Sequence, residues 1–195
     1  HGGGCARRRP TTVPARFTAV SNGALVRTTS HRAKKTRTFH WKQDVPHSPY
    51  LVSIAVGEFS RLEDRWKNVP VLYFCPPGRE EDARRAFGKT PEMIDFFSRK
   101  LGVPYAYAKY SQVAAIDFIY GGMENTSATT QTALTLHDER AHLDFSSDPL
   151  VAHELAQAGL DEALALGVQR AGRLVEDQDA RVGQHRPCDR QALPL

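Results

Sequence analysis

The chain has 195 residues, 41% hydrophobic and 25% charged, with 26 Lys and Arg against 22 Asp and Glu for a net charge of +4. That length suffices for a buried core, while no run of about 18 apolar residues offers a membrane-spanning helix and residues 1–16 lack the apolar centre of an export signal. Three cysteines, Cys5, Cys75 and Cys188, without CxxC spacing, imply neither a disulfide framework nor a cysteine-based metal site. Location in the cell is left open.

In chain order, residues 1–16 show no alternation of apolar and polar residues and stand apart from the rest of the chain. The first 43 residues carry ten Lys and Arg and no Asp or Glu, so the remainder is net acidic. A loop around Arg32, Lys34, Lys35 and Arg37 holds much of this charge. Such a cluster reads first as a solvated loop, and with no helix-turn-helix, zinc-finger or RNA-recognition pattern, no nucleic-acid partner is expected. Residues 17–76 alternate over short runs, Thr36–Gln43, Tyr50–Phe59 and Val69–Cys75, with Asn22-Gly23 as a turn signal, which predicts an antiparallel sheet. Cys75 closes the last run as a small buried hydrophobe.

At Pro76-Pro77-Gly78 the period changes, and the spacing of Ala83, Phe87, Met93, Ile94 and Phe97 predicts helix over Arg79–Lys100, with Gly102 as its stop. Thr90-Pro91-Glu92 inside it resembles an N-cap, a first-turn proline and an acidic first turn, so the stretch is one kinked helix or two. A strand from Ser111 to Phe118 follows, then a glycine-rich edge, a loop through Asp138-Glu139-Arg140 and a helix starting near Ser147-Asp148-Pro149. The domain boundary is drawn at residues 77–79. This gives a β region over residues 17–78, a second region over 79–157 and an atypical tail over 158–195, rich in Arg, Gln, Ala and Asp. The fold class is α+β.

Two motifs carry chemistry. Gly121-Gly122-Met123-Glu124-Asn125 places two residues without side chains where a backbone can approach closely, next to a carboxylate. Paired glycines also make ordinary turns. Some thirty positions on, Val151-Ala152-His153-Glu154-Leu155-Ala156-Gln157 is most of a His-Glu-x-x-His helix. In that pattern two imidazoles, one helical turn apart, reach one zinc ion, and the Glu acts as general base on water. The second position here is Gln157, whose neutral amide is a poorer zinc ligand than an imidazole. Without the first motif, His153 and Glu154 would read as two polar residues of an amphipathic helix.

Gly-x-Met-Glu-Asn followed by Val-x-His-Glu-Leu-Ala is the running order of the M1 zinc aminopeptidases, which the chain resembles over roughly residues 14–157. Phe17–Gly23, Ser48–Phe59 and Leu101–Tyr110 resemble further family segments. The resemblance implies the end of a saddle-like all-β N-terminal domain over residues 17–78 and the beginning of a thermolysin-like catalytic domain over 79–157, as part of a longer, frame-damaged or truncated protein. It implies zinc as cofactor with His153 as ligand, Glu154 as general base, and a peptide with a free N-terminus as substrate. Gly121, Gly122, Met123, Glu124 and Asn125 would bind that peptide, Glu124 pairing with its α-ammonium. Gln112 would border the same pocket in this reading. The family's third ligand is a Glu, whose place falls at Glu176, but Leu174-Val175-Glu176-Asp177-Gln178 lacks the family's context. The family's oxyanion-stabilising tyrosine would lie beyond residue 195. With Gln157 in the motif, the chain itself is expected to be inactive or nearly so. The alternative is a non-catalytic peptide-binding fragment without a complete zinc site.

Overall fold

Alternation at a period of two builds most of the chain into strands, and a computed structural model describes residues 7–165, with side chains over residues 10–159. Strand β1 (Arg7–Pro14) pairs antiparallel with β4 (Thr36–Gln43), which pairs on its other side with β3 (Ala24–His31). Between them β2 (Thr18–Ser21) pairs with β5 (Ile54–Gly57) as a separate two-stranded sheet. The turn predicted at Asn22-Gly23 lies between β2 and β3. Gly23 has φ +77°, and a Cβ there would run into the Lys42 carbonyl, so the turn needs glycine on both counts.

The third sheet has five strands in the order β6-β7-β8-β10-β9. Strands β6 (Ser60–Trp66) and β7 (Val69–Cys75) form a hairpin. Two helices follow, α1 (Glu80–Phe87) and α2 (Thr90–Leu101), and return the chain to β8 (Tyr110–Ala115), which lies parallel to β7. Strand β10 (Ala128–Thr132) is parallel to β8, and the short β9 (Gly122–Met123) forms the edge, antiparallel to β10. Helix α3 (Asp148–Ala165) packs back on α1, α2 and β9. The molecule is mostly sheet with some helix.

Strand β7 shows why this sheet is central. Five consecutive residues, Val71–Cys75, are buried. Val71, Tyr73 and Cys75 join Phe87, Ile94, Val151 and Leu155 in the core beneath the helices. Leu72 and Phe74 pack on the opposite face with Val20 and Val113. A strand covered on both faces reads as a continuous apolar run rather than an alternating one. Val13, Ala19, Phe39 and Trp41 form a separate cluster in the first sheet.

Several expectations change. The strand pattern begins before residue 17: Arg7–Pro14 pair residue for residue with β4, and Val13 is buried. The expected strand over Tyr50–Phe59 is shorter, because Pro49–Leu51 form a 3-10 turn that leaves Ile54–Gly57 to pair. The strand expected to reach Phe118 ends at Ala115. The helical stretch resolves into two helices, with Thr90 already inside the second and its hydroxyl 2.6 Å from the Phe87 carbonyl rather than capping. Gly102, at φ +69°, ends that helix as expected. The boundary drawn at residues 77–79 falls inside the five-stranded sheet, with β6 and β7 on one side and β8, β9 and β10 on the other. Pro76-Pro77-Gly78 marks the strand-to-helix turn of a βαβ crossover, where the apolar period must change although the layer continues. The tail beyond residue 165, with Glu176 and Cys188, lies outside the described residues, as does Cys5. Cys75 is fully buried, and burial raises its thiol to a pKa of about 11, as suits an inert hydrophobe.

Candidate functional site

Residues from three elements meet at the edge of the five-stranded sheet. Gly122 and Met123 are β9, opposite Gln131 and Thr130 of β10. The far side of β9 carries no further strand among the described residues, and helix α3 approaches this strand. Gly121 precedes it, exposed, its carbonyl accepting from Thr132 N at 3.1 Å. Glu124 follows β9 and is half-buried. Asn125 is buried: its Oδ1 accepts the Thr130 hydroxyl at 3.1 Å and its carbonyl accepts Ala128 N at 3.0 Å. Asn125 therefore holds the loop that presents Glu124. Met123 and Asn125 also line a cleft of about 580 Å³ with Ile54, Val56 and Phe59 of the β5 region.

Helix α3 brings the second motif to this edge. Val151, Leu155 and Ala158 point into the core, which leaves His153 and Gln157 together on an exposed face, one turn apart. Glu154 takes the side next to β9 and is only 4% exposed. A Cβ placed on Gly122 would stand 2.5 Å from Glu154 Oε1 and 2.6 Å from its Cδ. Only glycine leaves room for this carboxylate. Glu154 Oε2 is buried without a hydrogen-bond partner among the described residues. Burial first, and the neighbouring Glu124 charge second, raise Glu154 to a pKa of about 7. Two carboxylates thus face a glycine edge, one of them poised to hold or release a proton near neutral pH. That is the arrangement a general base requires.

Zinc fits the described residues less well. His153 offers one imidazole and Gln157 an amide, and among the described residues no group of three or more His, Cys, Asp or Glu side chains is gathered closely enough to hold a metal ion. Gln112 does not border the cleft. It is fully buried in β8, with Oε1 2.8 Å from the Thr90 hydroxyl, where a polar side chain at the start of a strand ties the sheet to α2.

Sequence reasoning missed Asn22, whose side chain reaches the loop behind the site. Its Nδ2 donates to Thr126 O at 2.6 Å and Leu51 O at 3.0 Å, its Oδ1 accepts from Ser53 N at 2.8 Å, and Gly23 N donates to Ser127 Oγ at 2.8 Å. Asn-Gly reads locally as a turn, and nothing in the sequence signals a bond to a partner 104 residues away. No described helix is long and apolar enough to cross a membrane.

Comparison with known proteins converges on one family. Residues 85–158 match the model of the peptidase family M1 domain. Aminopeptidase M1 of Arabidopsis thaliana is 33% identical over 152 residues, 74% of this chain and 17% of that protein. Leucyl aminopeptidase of Saccharolobus solfataricus is 29% identical over 140 residues, 70% of this chain and 18% of that protein. A crystal structure of Legionella pneumophila aminopeptidase A in complex with aspartic acid superposes with a TM-score of 0.67 at 17% identity, over 76% of this chain and 19% of that one, a likeness of fold. The chain thus spans less than a fifth of each of these relatives.

Proposed function

This chain is M1 aminopeptidase sequence, and from that premise we propose that it forms the terminus-recognising edge and the proton-accepting helix of a peptide-hydrolysing site. In this reading residues 7–57 are the end of a saddle-like β domain, and the five-stranded sheet with α1, α2 and α3 opens a thermolysin-like catalytic domain. An extended peptide adds to the free edge of β9, its backbone approaching Gly121 and Gly122. Glu124 takes the α-ammonium. Glu154 accepts a proton from the water that attacks the first peptide bond, and its raised pKa suits it to return that proton to the leaving amine. Met123 and Asn125 border the side-chain cleft.

The observation that carries the reading is the meeting of Glu154 with Gly122, which joins two motifs thirty residues apart in one site. Zinc as the family's cofactor, with His153 as ligand, belongs to the same reading, and Gln157 is the residue that weighs against it.

The test is binding of one labelled peptide with its N-terminus free or acetylated. A charge-assisted hydrogen bond to a half-buried carboxylate predicts roughly ten- to hundredfold tighter binding of the free form. Glu124→Gln should erase that preference, and equal binding of both forms by the parent chain sinks the proposal. Gln157 favours a second reading, a peptide-binding module without hydrolysis. Release of the terminal residue, falling on the order of a hundredfold or more in Glu154→Gln, supports the enzyme. Binding without release supports the module.

A further inference from the structure

Away from the β9 edge, a cavity of about 520 Å³ lies between the three-stranded sheet and the face of the five-stranded sheet turned from the helices. Its apolar walls come from Phe39 and Trp41 of β4 and Leu72 and Phe74 of β7. Three cations also line it, Arg37, Arg61 and Lys109, and no acidic residue among the described ones does. Lys109 is the unusual member. It is 3% exposed, its Nζ donates to Ser127 O at 2.6 Å and to Ser111 Oγ at 2.9 Å, and it sits 5.4 Å from the centre of the Trp41 ring. No carboxylate faces it among the described residues, and burial pulls its amine down to a pKa of about 7. Arg37 gives one guanidinium nitrogen to the Phe17 carbonyl at 2.7 Å, while its Nε is buried without a partner. Arg61 pairs outward with Glu63, half-exposed.

A buried cation without a counter-ion costs stability, so Lys109, together with the unpartnered Arg37 Nε, places donors where an anion would satisfy them. The volume is that of a small-molecule site, apolar walls with a few convergent polar groups. We propose that this cavity binds a small amphipathic carboxylate, its aromatic or branched body between Trp41, Leu72 and Phe74 and its carboxylate toward Lys109 and the two arginines. The site is separate from Glu124 and Glu154, neither of which lines it.

Trp41 supplies the readout, since the chain has two tryptophans and the second, Trp66, lies in the core beneath the helices. In the full chain carrying Trp66→Phe, titration with 2-naphthoate is expected to change the Trp41 fluorescence saturably, and neutral 2-naphthamide to bind at least about tenfold more weakly. Lys109→Met, which keeps the volume, should bring the two affinities together. Arg61→Gln, a change at a half-exposed position that leaves the core intact, should weaken naphthoate binding severalfold and leave the amide unaffected, and serves if Lys109→Met fails to fold. Ala24→Phe, which fills the cavity and keeps every charge, should abolish binding of both. Equal binding of acid and amide by the parent, no saturable binding, or binding unchanged in Ala24→Phe would each overturn the assignment.

Discussion

Glu154 holds its carboxyl in a place where ionisation is disfavoured, and this has a thermodynamic consequence. Its pKa of about 7 in the folded chain stands above the ordinary carboxyl value of 4.5. The folded state therefore binds the proton more tightly than the unfolded one. That contribution to stability is fully present below the unfolded pKa and is lost as pH rises through about 7. Glu154→Gln removes the pH dependence while keeping the shape, so the variant is expected to match the parent near pH 4 and exceed it near pH 8 by roughly 2 kcal/mol. Thermal melts at the two pH values check it; a difference that does not grow with pH would refute the burial argument. Gln157 is testable at the same scale. Gln157→His sets a second imidazole on the exposed face one turn from His153 and should tighten zinc binding at least about tenfold in a direct metal titration. Tight zinc in the parent chain, lost in His153→Ala, would show that other residues complete the site. The motifs that carry Glu124, His153 and Glu154 were legible in the sequence from their spacing, and the chain folds so that Glu154 meets Gly122. Gln112 was not legible: its nearness to the motifs along the chain said nothing of its side chain, which turns into the sheet toward Thr90.

Among the elements, β9 is the shortest and the most constrained. Gly121 and Gly122 look equivalent in sequence, yet only the second faces Glu154. An added Cβ meets nothing closer than Leu150 Cδ1 at 3.8 Å from Gly121, against the Glu154 carboxyl at 2.5 Å from Gly122. Gly121→Ala is thus expected to be nearly neutral. Gly122→Ala must push a buried carboxylate aside, costing about 1–3 kcal/mol as overpacking does, and should shift the Glu154 titration seen by carboxyl NMR. Equal effects of the two substitutions would mean that α3 does not approach β9 so closely. Thr36–Gln43, which alternates, and Val69–Cys75, a continuous apolar run, were legible to the residue. Strand β10 was not, because Thr129, Thr130 and Gln131 are buried polar residues. The Thr129 and Thr130 hydroxyls bond to Tyr110 and Asn125 at 3.1 Å each, the Gln131 amide is buried without a partner among the described residues, and an apolar pattern never marks such a strand.

For the whole molecule, the decisive feature is that one sheet crosses the place where the sequence changes character. Strands β6 and β7 precede Pro76-Pro77-Gly78, and β8, β9 and β10 follow it, with β7 and β8 hydrogen-bonded in parallel. Parallel neighbours cannot be joined locally, so a periodicity read along the chain sees two regions where the fold makes one layer. The earlier strands are tied in as well. Ala19 belongs to the cluster of the first sheet while its neighbour Val20 packs on Leu72 and Phe74, and Asn22 bonds to the loop behind Glu124. Residues 7–159 are therefore expected to unfold as one unit. Trp41 reports the first sheet and Trp66 the five-stranded one, so single-tryptophan variants Trp41→Phe and Trp66→Phe should give coincident denaturant transitions. A piece beginning at Arg79 would lose β6 and β7 and leave the β8 edge and the buried faces of Phe87 and Ile94 uncovered. It should fail to fold alone, showing no cooperative transition and no dispersed amide spectrum. Two separated transitions in the intact chain, or a folded piece from Arg79 onward, would instead support the boundary at residues 77–79 and make the shared sheet a contact between two domains.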